Sequence, residues 1–339
     1  MGIRSTIKKA VAAPLSAAKI PSMARRMAGG GAAILCYHRV VDRPIEEFQP
    51  GMAVHVETFA EHMNFLTRHF DVIGLVEVCR RLTSNEPITR PTAVVTFDDG
   101  WLDNYTLAFP ILKHYEIPAT IFLPTGFVGK TDYFWNARVE LAMPRIHARR
   151  DELLAAFPDE DMPPEAAFVM DALSEGLGPT QMIDRAILQT KVMPLDAIDR
   201  VTAFLEFLAQ MDHPGERTVM SWDEVNEMAE AGVDFGGHSV THRLMTELTA
   251  QEAYREAFDC MQTMTEHMGK RPLCFAYPNG NHDETVMREI RRAGYLCATT
   301  VVPGFAQVGA EMFALPRFGV HEGGAPNAAA LDLLISGLL

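Results

Sequence analysis

The sequence predicts an α/β fold built on a parallel sheet, interrupted by a helical insertion. Three observations carry that reading. Between Ala33 and Leu123, short β-branched and aromatic runs alternate with stretches of helical apolar spacing, the pattern of strands joined by crossover helices. From about Gly126 to Thr218 the alternation stops, and helical spacing broken by Pro144, Pro158, Pro163, Pro164, Pro179 and Pro194 replaces it, too long for a plain connection. From Ser221 the alternation resumes.

Taken in order, residues 1–30 form a separate basic segment. Residues 1–41 hold seven Lys/Arg and no acid, which leaves 23 basic against 44 acidic residues for the rest, a balance of −21. Lys8, Lys9, Pro14 and Lys19 interrupt any signal-peptide core, and no stretch reaches transmembrane length. Ile3, Ile7, Ala10 and Val11 share one helical face with Arg4 and Lys8 on another, which fits an interfacial helix drawn to anionic lipid. A disordered basic tail and an organellar transit peptide are the other readings. Gly29, Gly30 and Gly31 make a hinge into the folded domain.

Ala33–His38 reads as the first strand. Helical spacing follows over Glu57–His69, a strand at Val72–Ile73, and a second helix over Leu75–Leu82. Ala93–Phe97 is a buried strand, followed by a helix around Tyr105–Tyr115 and a strand over Ala119–Leu123. Within the insertion, Tyr133, Phe134, Trp135 and Arg138 are expected to anchor it to the sheet, sugar stacking being the alternative. Ser221 and Glu224 form a capping box for a helix closed by Gly232, and Thr249 with Glu252 opens another that ends near Gly269. Asp283 caps Glu284–Ala293, Leu296–Val301 is a strand, Ala314–His321 ends the sheet, and an apolar helix starts at Ala328. The domain reading is therefore 31–125 with 219–325 as the α/β body, 126–218 as the insertion, and 326–339 as a C-terminal helix.

Hydrophobic content of 48% and charged content of 22% describe an ordinary globular protein, and a net charge of −14 argues against general nucleic-acid binding. Cys36, Cys79, Cys260, Cys274 and Cys297 show no paired spacing and read as buried free thiols of a reducing compartment.

The chemistry concentrates at three strand ends. Thr96-Phe97-Asp98-Asp99-Gly100 puts adjacent carboxylates past a buried strand, where alternation sends them different ways, so one can bind a metal while the other handles protons. His238-Ser239-Val240-Thr241-His242 places two imidazoles four residues apart just past another strand. Two His and one Asp make a three-ligand set with an open position for water. Phe275-Ala276-Tyr277-Pro278-Asn279-Gly280 is a third strand running into a turn.

In this order the three segments resemble the motifs of the polysaccharide deacetylases, carbohydrate esterase family 4. The resemblance covers roughly residues 33–125 and 221–321, and it implies a distorted (β/α) barrel of fewer than eight regular units. It also implies hydrolysis of the N-acetyl group of an N-acetylated sugar, whether polysaccharide, oligosaccharide or lipid-linked precursor. Asp99, His238 and His242 would hold a divalent metal, zinc first and Co2+ or Ni2+ as alternatives. Asp98 would be the general base, and Asn279 would supply a backbone N–H to the oxyanion, with Tyr277 and Arg317 beside it on the substrate side. The family's third motif carries an arginine where this chain has Ala276, and Arg317 is the candidate to replace it. The general acid is His38 in Tyr37-His38, with His321 in Val320-His321 as its rival. A deformylase or other amidohydrolase, or a catalytically silent sugar-binding protein, are the other functional readings. Free thiols and a basic N-terminal helix place the expected site of action on the cytoplasmic side, peripheral to an anionic membrane.

Overall fold

The structure, a computed structural model, describes residues 31–45, 48–49, 51–131, 135–156, 163–211 and 217–336. The N-terminal amphipathic helix, the hinge at Gly29–Gly30, Tyr133 and Phe134 lie outside the described residues. The chain divides into two compact units, one of residues 1–42, 51–129 and 219–339, the other of 43–50 and 130–218.

The first unit is a curled, fully parallel sheet wrapped by helices. Its elements are β1 (Ala32–Tyr37), β2 (Arg39–Val41), β3 (Ala53–His55), α1 (Val56–His69), β4 (Asp71–Val72), α2 (Leu75–Thr83) and β5 (Thr92–Phe97). A π-helical turn over Asn104–Ala108 then leads into α3 (Phe109–His114) and β6 (Ala119–Leu123). With β7 (Asp234–Gly237), β8 (Cys274–Ala276), β9 (Cys297–Thr299) and β10 (Phe318–Gly319) from the later part of the chain, the main sheet runs in the order β10-β1-β5-β6-β7-β8-β9, with β4 added beside β5 and β2 pairing β3 separately. All six residues of β1 and all six of β5 are buried, as expected for parallel strands covered on both faces. Every strand in such a sheet points the same way, so residues just past the carboxyl ends gather at one rim.

The second unit is helical. It comprises α4 (Trp135–Ala148), α5 (Arg150–Ala156), α6 (Ala167–Ser174), α7 (Pro179–Thr190) and α8 (Leu195–Leu208), together with the short segment 43–50. Met143, Ile146, Val169, Leu173, Ile183, Ile187, Val201 and Leu205 form its own core. Pro144 sits inside α4 rather than breaking it. The lost i→i−4 hydrogen bond is outweighed by burial of the flanking Met143 and Ile146. Arg138 makes a bidentate pair with Glu206 at 2.7 Å, so its charge serves the insertion itself.

The first unit resumes with α9 (Trp222–Glu230), β7 (Asp234–Gly237), α10 (Ala250–Met268), β8 (Cys274–Ala276), α11 (Glu284–Ala293), β9 (Cys297–Thr299), β10 (Phe318–Gly319) and α12 (Ala328–Leu334). Ser221, Thr249 and Asp283 cap their helices as expected. The last two strands are shorter than their apolar runs: Leu296 is exposed, and Ala314–Arg317 pairs with the β9 segment through an isolated bridge from Leu315 to Thr299. No helix among the described residues is long and apolar enough to cross a membrane.

Gly236 and Gly237 let the sheet close tightly at β7. A Cβ on Gly236 would fall 2.6 Å from the Phe122 ring and 2.7 Å from the Cys274 carbonyl, in the middle of a close-packed layer. We predict that Gly236→Ala lowers unfolding stability by about 1–3 kcal/mol, the usual cost of overpacking. Urea denaturation reads this directly, and an unchanged midpoint would show that the strand has room to shift.

Candidate metal and catalytic site

Four strand ends build the site. Asp98 and Asp99 follow β5, His238 follows β7, Ala276 ends β8, and His38 interrupts the chain between β1 and β2. Asp98, Asp99 and His238 are each no more than 2% exposed.

Asp99 takes a left-handed backbone, φ 72°, which swings its carboxylate away from that of Asp98. Trp101 Nε1 donates to Asp99 Oδ2 at 3.0 Å. The other oxygen, Oδ1, is buried with no aligned hydrogen-bond donor, although His242 Nε2 lies 3.1 Å away and His238 Nε2 3.4 Å away. Burial alone would raise the Asp99 pKa, but the adjacent His242 and His238 rings hold it well below the carboxylate range. A buried anionic oxygen faced by two imidazole nitrogens is the donor set of a three-ligand divalent site. His238 Nδ1 lies 2.7 Å from the Ala276 carbonyl. That contact makes Nδ1 the protonated nitrogen and leaves the Nε2 lone pair to a cation. These residues therefore fit a divalent metal.

Asp98 is held differently. Arg317, fully buried, donates from both terminal nitrogens to Asp98 Oδ1 and Oδ2 at 2.7 Å. Its Nε donates to the Thr300 carbonyl at 2.8 Å, and Thr96 Oγ1 accepts at 3.2 Å. Burial would raise the Asp98 pKa, but the guanidinium overrides it and brings the carboxyl down to about 2. Arg317, the candidate for the missing arginine, thus pairs with Asp98 directly. Cys36 Sγ adds a weaker contact to Asp98 Oδ2 at 3.5 Å.

His38 Nε2 lies 3.9 Å from Asp98 Oδ2. Burial pushes its pKa below the ordinary value, against the pull of Asp99 and Asp98. The π-helical turn steadies this position: Asn104 Nδ2 donates to the His38 carbonyl at 2.8 Å, and Asp103 binds Arg39 and the Val40 amide. Tyr37 points the opposite way, its hydroxyl 3.1 Å from His62 Nδ1 in the core. The rival His321 follows β10, where its ring lies over Gly324 and its carbonyl accepts from the Gly324 and Ala325 amides.

Two expected substrate residues separate. Asn279 is exposed near the end of the third motif with φ 57°, and its side-chain amide donates to Asn281 Oδ1. Tyr277 does not join it: the side chain is fully buried, and its hydroxyl donates to the Phe313 carbonyl at 2.9 Å. Tyr277 lies one residue past β8 and packs in the same buried cluster as Phe275, two positions before it.

Sequence reading missed Glu256. On α10, its carboxylate accepts from the Val240 amide at 2.8 Å, the Thr241 amide at 2.9 Å and the Thr241 hydroxyl at 2.7 Å. Ser239 Oγ accepts from the His242 amide at 2.9 Å. Ser239 and His242 both have positive φ, so the loop is strained and these bonds hold it in the one shape that turns His242 back to Asp99. No local signal links residue 256 to residue 241; only the helix capped by Thr249 and its 3.6-residue repeat would have hinted at it.

The polysaccharide deacetylase family model matches residues 85–156 and 199–298, a span that holds Asp98, Asp99, His238 and His242. The Bacillus subtilis (strain 168) protein YxkH, provisionally named a polysaccharide deacetylase, is 21% identical over 87% of this chain and 73% of its own length. The poly-β-1,6-N-acetyl-D-glucosamine N-deacetylase of Escherichia coli (strain K12) is 27% identical over 97 residues, 28% of this chain and 14% of that protein. Among solved structures, the Streptococcus pyogenes deacetylase PplD in complex with acetate superposes with TM-score 0.59 at 17% identity, covering 89% of this chain and 97% of that one. IcaB from Ammonifex degensii gives 0.58 at 19%, covering 90% and 97%. These likenesses show the fold, the distorted (β/α) barrel.

Releasing the strained loop should loosen the metal ligands without unfolding the barrel. Glu256→Ala is expected to weaken divalent-metal affinity about 10–100-fold, as loss of an outer-shell support does. Calorimetric titration of the metal-free protein, with circular dichroism as the folding control, measures it. Unchanged affinity in a folded variant would show that the loop holds its shape alone.

Proposed function

The chain belongs to the polysaccharide deacetylase family, and from that premise we propose that it removes N-acetyl groups from an N-acetylated glycan by metal-dependent hydrolysis. The observation that carries the reading is the meeting of Asp99 Oδ1 with two imidazole Nε2 atoms beside a carboxylate locked by Arg317. Asp99, His238 and His242 would hold the divalent ion, zinc by preference for nitrogen and oxygen donors in a small site. When bound there, the ion supplies Lewis acidity, acidifying a water and favouring negative charge on the acetyl oxygen.

The remaining work falls to the chain's own groups. Asp98, ionised beside Arg317, accepts the proton of the attacking water. The Asn279 amide donates to the oxyanion. His38, as an imidazolium, gives its proton to the departing amine so that the C–N bond breaks toward a neutral leaving group. Arg317 keeps Asp98 ionised until it takes the water's proton, and holds it oriented throughout.

The sugar is proposed as an N-acetylhexosamine unit of a polysaccharide, oligosaccharide or lipid-linked precursor; the poly-β-1,6-N-acetyl-D-glucosamine for which the Escherichia coli relative is named supports that class. All five cysteines are free, which supports action in a reducing compartment on the cytoplasmic side, and the basic, acid-free stretch 1–41 supports peripheral contact with an anionic membrane.

Two contrasts test this assignment. His238→Ala and His242→Ala should each lose bound zinc and acetate release together, whereas Asp98→Asn should keep the metal and lose about 10²–10⁴-fold in rate, the range of general-base contributions. Metal analysis beside acetate release from N-acetylglucosamine oligomers distinguishes them. Loss of metal in Asp98→Asn would exchange the two aspartates' roles, and release of formate from N-formyl analogues in place of acetate would change the acyl group.

The acid is assigned to His38. An acid catalyst must be protonated, so the rate should fall as pH rises through its pKa. His38→Gln should lower kcat and abolish that alkaline limb with metal retained, while His321→Gln should change the rate only modestly. The opposite ranking in the two pH–rate profiles would move the acid to the end of the barrel.

A further inference from the structure

A second group of ligating side chains lies at the other end of the strands that carry the catalytic rim. Cys274 opens β8 and Cys297 opens β9, where the two are direct register partners; Cys79 reaches them from α2. Their sulfur atoms all lie within 4.8 Å of one another. Three thiolates around one ion, at metal–sulfur distances of about 2.3 Å, stand about 4 Å apart. The trio therefore needs only a small inward movement to meet that spacing. Cys79 and Cys274 also line a cavity of about 1020 Å³, whose other walls include Asp234 and Glu311. That cavity gives an ion a path from solvent and room for a water as a fourth donor.

Plain packing is the alternative, since the three side chains sit among Ile34, Leu75, Val78, Val94, Phe122 and Leu315. Packing alone asks only for apolar volume, which Ala or Val supplies, and it does not call for three sulfurs aimed at one point from three separate elements. The donors are also wholly unlike the Asp and His set at the rim. Soft thiolates select zinc, cadmium or cuprous ions over magnesium, calcium or manganese.

We propose that Cys79, Cys274 and Cys297 form a second metal site, which binds a thiophilic closed-shell cation, Zn2+ or Cu+, independently of the catalytic ion. Binding exchanges up to three thiol protons for the cation and releases them to solvent, with no change of oxidation state. The coordination number separates the two ions: Cu+ is satisfied by the three sulfurs, while Zn2+ draws in a fourth ligand from the cavity.

The test uses the reduced, metal-free, full-length protein. Cd2+ serves as the zinc probe, because its thiolate charge-transfer band is silent for an Asp and His site; Cu+ under anaerobic conditions is the second arm. The expected result is a thiolate band that grows with one equivalent of Cd2+, persists in His238→Ala, Cys36→Ala and Cys260→Ala, and is lost in Cys79→Ala, Cys274→Ala or Cys297→Ala. Persistence in His238→Ala also separates failure of this site from failure of the catalytic assignment. Should a core variant fail to fold, alkylation of the wild-type protein during partial denaturation, mapped by peptide mass, gives the same answer: Cd2+ should protect Cys79, Cys274 and Cys297 together. Absence of a thiolate band in wild type with both ions, or protection that falls on Cys36 or Cys260, would overturn the proposal.

Discussion

The buried pair of Arg317 and Asp98 is the interaction on which the rest of the site depends. Two full charges taken out of water cost several kcal/mol each, and only close geometry with further hydrogen bonds repays it. Here both guanidinium ends meet both carboxylate oxygens at 2.7 Å, while the Thr300 carbonyl and the Thr96 hydroxyl each accept one further hydrogen bond. The pair also spans 219 positions of sequence and ties β5 to the segment entering β10. One contact thus fastens the last strand to the centre of the sheet and fixes the ionisation of the proposed general base. Removing either partner alone would strand a charge in the core, at a cost of about 3–5 kcal/mol.

With Asp98 committed to Arg317, its neighbour is free for a different task. The two carboxylates sit one residue apart yet look into unlike surroundings, one at a guanidinium and one at two imidazoles. The divergence is built into the backbone. Asp99, Ser239, His242 and Asn279 are four of the seven non-glycine residues with positive φ among those described. Strain is thus concentrated at the proposed ligands and oxyanion donor, and Glu256, Trp101 and the Ala276 carbonyl hold the ligand side in place. The tertiary scaffold spends stability here on geometry.

Much of this was legible because it is local. Buried strands are continuous apolar runs, so β1, β5 and β6 could be read directly, and helix caps at Ser221, Thr249 and Asp283 carry their own signatures. The cluster of Asp99, His238 and His242 was readable because each residue follows a strand, and parallel strands deliver their ends to one rim. Arg317 could be named because Ala276 left a vacancy for an arginine. What escaped has no local mark. Glu256 acts across a helix-to-loop distance, Asn104 through a π-helical turn that Pro110 follows, and Tyr277 by strand alternation at a strand only three residues long. Cys79, Cys274 and Cys297 gave no spacing signal because three different elements bring them together.

A double-mutant cycle on Arg317→Met and Asp98→Asn, read as kcat with bound metal measured in every protein, tests the central claim most directly. If Arg317 acts only by holding Asp98, each single change lowers kcat by about 100-fold or more with metal retained, and the double variant is scarcely worse than Asp98→Asn alone. Additive losses in kcat, or near wild-type turnover in Arg317→Met, would contradict it.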